Sequence, residues 1–224
     1  MAPSLIFRPY RPSSSDSVYH NILPHRFQAG KTVFVTWRLS DSLPQVADQE
    51  KSIRRTQKRW LDREQLPFCP WTQNIEEILR NQYPEKLNRF KMIRFWVQEN
   101  FDKKNFGSCA LRHQKAIHRL WEAVREEEKW GLGIGDGVVC FNHVHLLMVL
   151  GDDANLKCHM ERIKGRASRY LGLEELPELP KPVWQRYWFD HLVRDASKLT
   201  RIRKYIADHP VPYVEAQVSA EWVI

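Results

Sequence analysis

"GVVCFNHVHLLMVL", residues 137–150, decides the fold. Two apolar runs, "GVVCF" and "HVHLLMVL", meet around Asn142, a residue suited to a tight turn. Both runs are rich in β-branched and large apolar side chains, so they read as two adjacent strands. The second run carries His143 and His145. Residues two apart on a strand project from the same face, so both imidazoles share one side of the sheet. Two such imidazoles can offer nitrogens to a single divalent ion. The pattern is short, and two half-exposed histidines on a solvated face explain it equally simply.

Outward from this hairpin the elements alternate in type. "QKAIHRLWEAVREEEKW" (114–130) carries Ala116, Ile117, Leu120, Trp121 and Val124 at helical spacing. "ANLKCHMERIKGRASRYL" (154–171) places Leu156, Met160, Ile163, Ala167 and Leu171 on one stripe of a second helix. "KTVFVTWRL" (31–39) reads as a first strand and "VWQRYWFDHLV" (183–193) as a last one, with "GSCALR" (107–112) as a short extended piece. "DASKLTRIRKYIADHP" (195–210) is a final helix, with Asp195 as its N-cap and Pro210 ending it. Between the first strand and the first of these helices, residues 41–105 are helical in composition, broken by "LPFCPW" and by Pro84, and read as a helical insertion. The basic cluster "RRTQKR" within it reads as a solvated helix face. Residues 1–30 are Pro/Ser-rich and expected as an irregular arm, 31–213 as a single domain, and 214–224 as a tail.

With the insertion set aside the order is βαββαβ plus a C-terminal helix. That is an α+β, ferredoxin-like pattern: an antiparallel sheet with helices on one face. Such a fold hosts many chemistries, so function has to be argued from the site.

The chain has 224 residues, a net charge of +8 and a pI near 9.4. A basic domain of this size suggests a polyanionic partner, most often nucleic acid, though a merely basic soluble protein has the same balance. No apolar run approaches the roughly 20 residues that cross a bilayer. The first residues lack the apolar core of a secretory signal. The expectation is a cytoplasmic protein, nucleoid-associated when it binds DNA, with no membrane and no small-molecule substrate. Cys69, Cys109, Cys140 and Cys158 form no Cys-x-x-Cys pair and read as reduced structural thiols. Cys158-His159 is a poor metal pair, because adjacent helical residues point apart.

The last helix adds a second chemical pattern. Tyr205 and His209 are four apart and share a face, beside the apolar stripe of Leu199, Ile202 and Ile206. A phenol one turn from a metal ligand is a nucleophile arrangement, since a metal can polarise a phosphate that the phenolate attacks. A tyrosine on a helix flank is also an ordinary packing residue. Cations gather nearby: Arg162, Lys164, Arg166 and Arg169 on one helix, then Arg194, Arg201, Arg203 and Lys204. The intervening strand supplies Trp184, Tyr187, Trp188 and Phe189. Cations for phosphates and aromatics for unstacked bases suit single-stranded or hairpin nucleic acid.

Together these residues carry a resemblance. "NHVHLL" resembles the HUH motif of single-tyrosine transposases. "VWQRYWFDHLVRD" and "KYIADHPV" are similar to that family's Trp-Gln-x-x-Tyr/Phe-Phe-Asp-His and Tyr-Ile-x-x-Asn-Pro-Val elements. "KGRASR" (164–169) is similar to a basic segment of the insertion-sequence branch, and "FVTWRLSDSLP" to the first strand of one subgroup. The group most resembled is the REP-associated tyrosine transposases, over residues 31–40 and about 105–213.

The resemblance implies that His143 and His145 bind Mg²⁺ or Mn²⁺. It implies that Tyr205 attacks a single-stranded DNA phosphate, leaving a 5′-phosphotyrosine link and a 3′-hydroxyl that can be rejoined. It implies DNA contacts from Lys164, Arg166, Arg169, Arg194, Arg201, Arg203, Lys204, Trp184 and Tyr187, on hairpin or palindromic DNA, by a monomer or homodimer. Where the family has Gln or Asn four residues after the tyrosine, this chain has His209, an imidazole that suits Mn²⁺ better than Mg²⁺. Cys140-Phe141 stands where the family usually has Met-Pro. Two other readings stay open: a degenerate or domesticated hairpin-binding protein that does not cut, and a metal phosphohydrolase using activated water, which has no need of Tyr205.

Overall fold

The computed structural model describes residues 4–10, 17–20, 24–43, 46–68, 75–102, 105–174 and 176–224. Its strands are β1 (Ser4–Ile6), β2 (Ser17–His20), β3 (Pro24–Phe27), β4 (Thr32–Arg38), β5 (Gly133–Val139), β6 (His143–Val149), β7 (Phe189–Leu192), β8 (Gln217–Val218) and β9 (Glu221–Val223). Its helices are α1 (Val46–Arg63), α2 (Ile75–Gln82), α3 (Pro84–Asp102), α4 (Gln114–Arg125), α5 (Leu156–Gly172) and α6 (Ala196–Ala207).

The chain divides into two compact units, residues 1–42 with 108–224, and residues 43–107. The second unit is built from α1, α2 and α3 and has its own core of Ile53, Trp60, Leu61, Ile75, Leu79, Phe90 and Ile93. Pro84 opens α3 at the first helical position, where a missing N–H costs nothing. Cys69 lies outside the described residues.

In the first unit the central sheet runs β7-β4-β6-β5-β8, and each neighbouring pair in it is antiparallel. Without β8 this is the strand order of the expected βαββαβ pattern, with α4 and α5 as the two crossovers. The period-2 alternation of β4 sends Val33, Val35 and Trp37 to one face, where they pack with Val144, Leu146 and Met148 of β6 against the apolar stripes of α4 and α5. All five stripe residues expected of each helix are buried. The other face carries Phe34, Val138, Cys140 and Leu147, and α6 lies on it through Leu199, Ile202 and Ile206. The helix holding the tyrosine therefore covers the opposite side of the sheet from the two crossover helices.

Four boundaries differ from expectation. "GSCALR" is not extended: Ala110–Arg112 form a 3-10 turn entered through Cys109, whose φ of 53° lies in the left-handed region. The aromatic stretch 183–193 is strand only over Phe189–Leu192, preceded by an isolated bridge from Leu39 to Trp184. Residues 1–30, expected as an irregular arm, contain three short strands. The C-terminal residues are structured too: β8 pairs with β5, and β9 pairs in parallel with β1. There Trp222 covers Gly135, where an added Cβ would come within 2.5 Å of the indole and 2.8 Å of the Leu147 carbonyl. No helix among the described residues is long and apolar enough to cross a membrane.

Candidate functional site

The site is made by the β5–β6 hairpin, β4 and α6. Cys140 and His143 flank the two-residue turn Phe141-Asn142, and the Cys140 N–H donates to the His143 carbonyl at 2.8 Å. Beyond the turn Val138 pairs with His145. On the other side of β6, Thr36 pairs with His145 and Arg38 with His143. Directly opposed residues share a face, so Thr36, Arg38, Cys140, His143 and His145 all lie on the side that α6 covers. At the start of α6, Asp195 caps the helix by accepting from the Lys198 N–H at 2.7 Å.

His143 and His145 are 2% and 1% exposed, and their Nε2 atoms are 3.0 Å apart. Burial pushes the pKa of each well below the usual histidine range. For His143 repulsion from Arg38, and from His209 were it protonated, adds to this; for His145 repulsion from His143 or His209, were either protonated, and from Arg38 does. Both rings are therefore neutral at physiological pH and keep a lone pair for a ligand. Their outer nitrogens are oriented by partners. His143 Nδ1 is 2.8 Å from Asn142 Oδ1, an oxygen that only accepts, so this nitrogen carries the proton and Nε2 the lone pair. His145 Nδ1 is 2.7 Å from Thr36 Oγ1.

His209 lies two residues past the end of α6 rather than within it. Its Nδ1 donates to the Tyr205 carbonyl at 2.8 Å, a one-turn contact that leaves its Nε2 as the acceptor. Cys140, His143, His145 and His209 each offer a ligand atom, and these atoms lie within 4.8 Å of one another. Imidazoles oriented by hydrogen-bonded outer partners are what a bound divalent ion requires, so the donor set fits one.

The Tyr205 hydroxyl is 3.5 Å from His145 Nε2. Its ring meets His209 edge-on at 4.4 Å between centroids, His145 at 5.1 Å and Phe34 at 6.2 Å. Three aromatic neighbours thus fix the phenol at the rim of the histidine cluster.

The residues expected to touch DNA divide into two groups. Arg166 donates to the Ala123 carbonyl and to Glu127, each at 3.0 Å. Glu127 is fully buried and also binds Arg162 and His159. Its burial pushes its pKa up, and the hydrogen bonds from Arg162, His159 and Arg166 more than offset this, so the carboxyl ends below its usual range. His159 therefore faces inward to Glu127 while Cys158 is exposed, which leaves the two without a shared ligand position. Lys164 donates to the carbonyls of Gln185 and Arg186 at 2.6 and 2.9 Å, and burial lowers its pKa to about 8. Trp184 is buried against Trp37 and donates to the Lys164 carbonyl at 3.0 Å. Arg203 pairs with Asp136 at 3.0 Å. By contrast Arg169, Arg194, Arg201 and Lys204 are exposed, and Tyr187 is half-buried beneath Arg186.

Residues 110–209 match the family described as IS200-like transposases. That segment is similar to the IS200-like transposases and makes up a little under half of the chain. The match spans His143, His145 and Tyr205 and ends on His209. Among solved structures, a REP-associated tyrosine transposase bound to a REP hairpin is 17% identical, with 81% of this chain and 68% of that one covered and a TM-score of 0.40. A proposed transposase from Deinococcus radiodurans is 20% identical, with 42% and 82% covered and a TM-score of 0.31. No curated protein matches the chain.

Thr36 and Cys140 join this cluster without having been candidates on sequence grounds. The signal for Thr36 was the alternation of β4, in which Phe34, Thr36 and Arg38 share a face and two of the three are polar. Spacing among the cysteines carries no signal for Cys140, whose place here comes from its strand register to the histidines.

Proposed function

We propose that this protein is an IS200-like transposase, acting as a metal-dependent single-tyrosine endonuclease and strand transferase. It cleaves and rejoins single-stranded hairpin DNA of the REP palindrome type through a 5′-phosphotyrosine link. The observation that carries the reading is the Tyr205 hydroxyl, 3.5 Å from His145 Nε2 and packed edge-on against His209 at the rim of a three-histidine cluster.

His143, His145 and His209 would hold the divalent ion, with Asn142 and the Tyr205 carbonyl fixing the tautomers of His143 and His209 and the Thr36 hydroxyl partnering His145 in either tautomer. When bound, that ion supplies charge stabilisation to a phosphate oxygen and orients the phosphate. Tyr205 Oη, having lost its proton to solvent, attacks phosphorus in line with the O3′ that leaves. The Oη–P bond forms as the P–O3′ bond breaks, and O3′ takes a proton. Bond energy is kept in the phosphotyrosine, so a second 3′-hydroxyl can reverse the step and join a new strand. Phe34, His145 and His209 hold the phenol ring, which limits the orientational freedom lost on the way to reaction. The exposed Arg169, Arg194, Arg201 and Lys204 supply cations for the DNA backbone.

The test uses hairpin DNA labelled on the 3′ side of the cleavage site, incubated with the purified protein and Mn²⁺. Wild type forms a denaturation-resistant protein–DNA adduct and Tyr205→Phe forms none. An adduct that persists in Tyr205→Phe removes this residue from the chemistry. Cleavage with no adduct in wild type favours hydrolysis by an activated water.

A further inference from the structure

We propose that Cys140 is a fourth protein ligand at this centre, so that the site takes a thiophilic divalent cation, Zn²⁺ or Co²⁺, in preference to Mg²⁺. The inference rests on the metal-binding reading of the three histidines and adds a thiolate to it.

Register places the thiol there. Cys140 follows β5 directly and is bound across the hairpin to His143 through its backbone N–H. Val138 of β5 opposes His145 of β6, so the period of two puts Cys140, two residues after Val138, on the histidine face opposite His143. Its side chain is 3% exposed, in no disulfide, and packed on the face lined by Phe34, Val138 and Leu147. Its Sγ and one nitrogen from each histidine lie within 4.8 Å of one another. A tetrahedral ion with bonds of about 2.0–2.3 Å needs ligand separations of roughly 3.3–3.7 Å. The His143–His145 nitrogen pair is at 3.0 Å, so the longest remaining separation must shorten by little more than 1 Å. Small rotations of side chains cover such a distance.

The chemistry of the donors sets the choice of ion. A thiolate with imidazoles suits Zn²⁺ and Co²⁺, whereas Mg²⁺ prefers carboxylate, carbonyl and water oxygens. Binding converts Cys–SH to a metal thiolate and releases one proton to solvent, and the two charges of the cation repay ionising a buried thiol. Four protein ligands also complete a tetrahedron. A DNA phosphate then enters only by raising the coordination to five or by displacing a ligand, so Cys140 tunes how readily the centre accepts substrate.

Co²⁺ titration tests this without any reference to DNA cleavage. Bound Co²⁺ shows visible d–d bands from any tetrahedral site and a near-ultraviolet charge-transfer band only when a thiolate is a ligand. Wild type shows both at stoichiometric Co²⁺. Cys140→Ala keeps the d–d bands and loses the charge-transfer band, and its preference for Zn²⁺ over Mn²⁺ in competition falls. A protein with Cys69→Ser, Cys109→Ser and Cys158→Ser together keeps the charge-transfer band, which secures the assignment even if Cys140→Ala fails to fold. Wild-type d–d bands with no charge-transfer band overturn the Cys140 proposal and leave the histidine site standing. A charge-transfer band that survives Cys140→Ala overturns it as well. Absence of d–d bands in wild type defeats the metal reading as a whole.

Discussion

Thr36→Val removes one hydroxyl, keeps the β-branched shape that β4 favours, and asks whether the partner of His145 Nδ1 sets that residue's readiness to bind an ion. Asn142 fixes the proton of His143 on Nδ1, so His143 Nε2 is an acceptor. With no ion between the rings, their 3.0 Å separation is satisfied only if His145 Nε2 donates to it, which makes His145 Nδ1 the acceptor of the Thr36 hydroxyl. With an ion bound, His145 Nε2 must give up that proton. Nδ1 then carries it and donates to Thr36 Oγ1. A hydroxyl serves both states because it both donates and accepts. Valine serves neither.

Two magnitudes follow. Metal-free, the substitution leaves a ring nitrogen buried without a partner, which costs about 2 kcal/mol and lowers Tm by about 4–8 °C for a chain of this size. For the ion, loss of an outer partner weakens affinity about 10–100-fold, equivalent to about 1.4–2.7 kcal/mol. Thermal unfolding in chelator measures the first, and calorimetric titration with Mn²⁺ and Zn²⁺ the second. Thr36→Ser, which restores the hydroxyl, recovers most of the affinity. A Thr36→Val protein that melts lower but binds the ion as tightly as wild type would refute the tautomer argument and leave Thr36 a structural residue only.

Glu127→Gln removes the charge that holds Arg162, Arg166 and His159 together at a fully buried position. Breaking a buried pair from one side costs about 3–5 kcal/mol, and the partial exposure of Arg162 and Arg166 puts this case at the lower end. Denaturant unfolding that finds a loss below about 1 kcal/mol would show that the network is not stabilising. His191 gives a pH test. Burial first, then Lys198 and Arg194, lower its pKa to about 4. Between about 4 and the unfolded value near 6.5 the unfolded chain binds more protons, so stability falls as pH drops through this window and is unaffected by the group above it. His143 and His145 are shifted in the same direction, so the measurement is the difference between profiles: His191→Gln loses less stability than wild type from pH 7 to pH 5. Parallel profiles would contradict the assignment.

Much of this was legible from periodicity. The stripes at 116–124 and 156–171 are properties of single elements and are buried as their spacing names, and the β-rich run at 31–39 forms a strand over Thr32–Arg38. What stayed hidden depends on register between segments distant in sequence. Thr36 and His145 are 109 residues apart in sequence and meet only because β4 pairs with β6 in one register. His209 looked like a helical residue because it lies four after Tyr205. It has left the helix, yet keeps the contact through its own ring and the Tyr205 carbonyl. The short strands near both ends pair with each other or with partners far along the chain, and no local pattern announces such pairings.

Charge was the least reliable guide, and the reason is geometric. A count of cations near Tyr205 treats Arg166 and Arg203 as equal to Arg201. The first two are opposed by Glu127 and Asp136, so their charge is largely cancelled within the fold and adds little attraction for phosphate. Lys164 is held by two backbone carbonyls and titrates near 8, which makes it a weaker cation at neutral pH than its type suggests. Lys204 pairs with Asp208, but both are exposed, and such a pair is too weak to withhold the ammonium from a stronger anion. Arg201 is exposed and lies four residues before Tyr205, one turn away on the same helical face. In the proposed reaction a backbone phosphate that reaches the phenol along that face would meet Arg201 first. On that proposal the cation nearest a strand at the tyrosine is set by helical phase, not by the density of basic residues in the sequence.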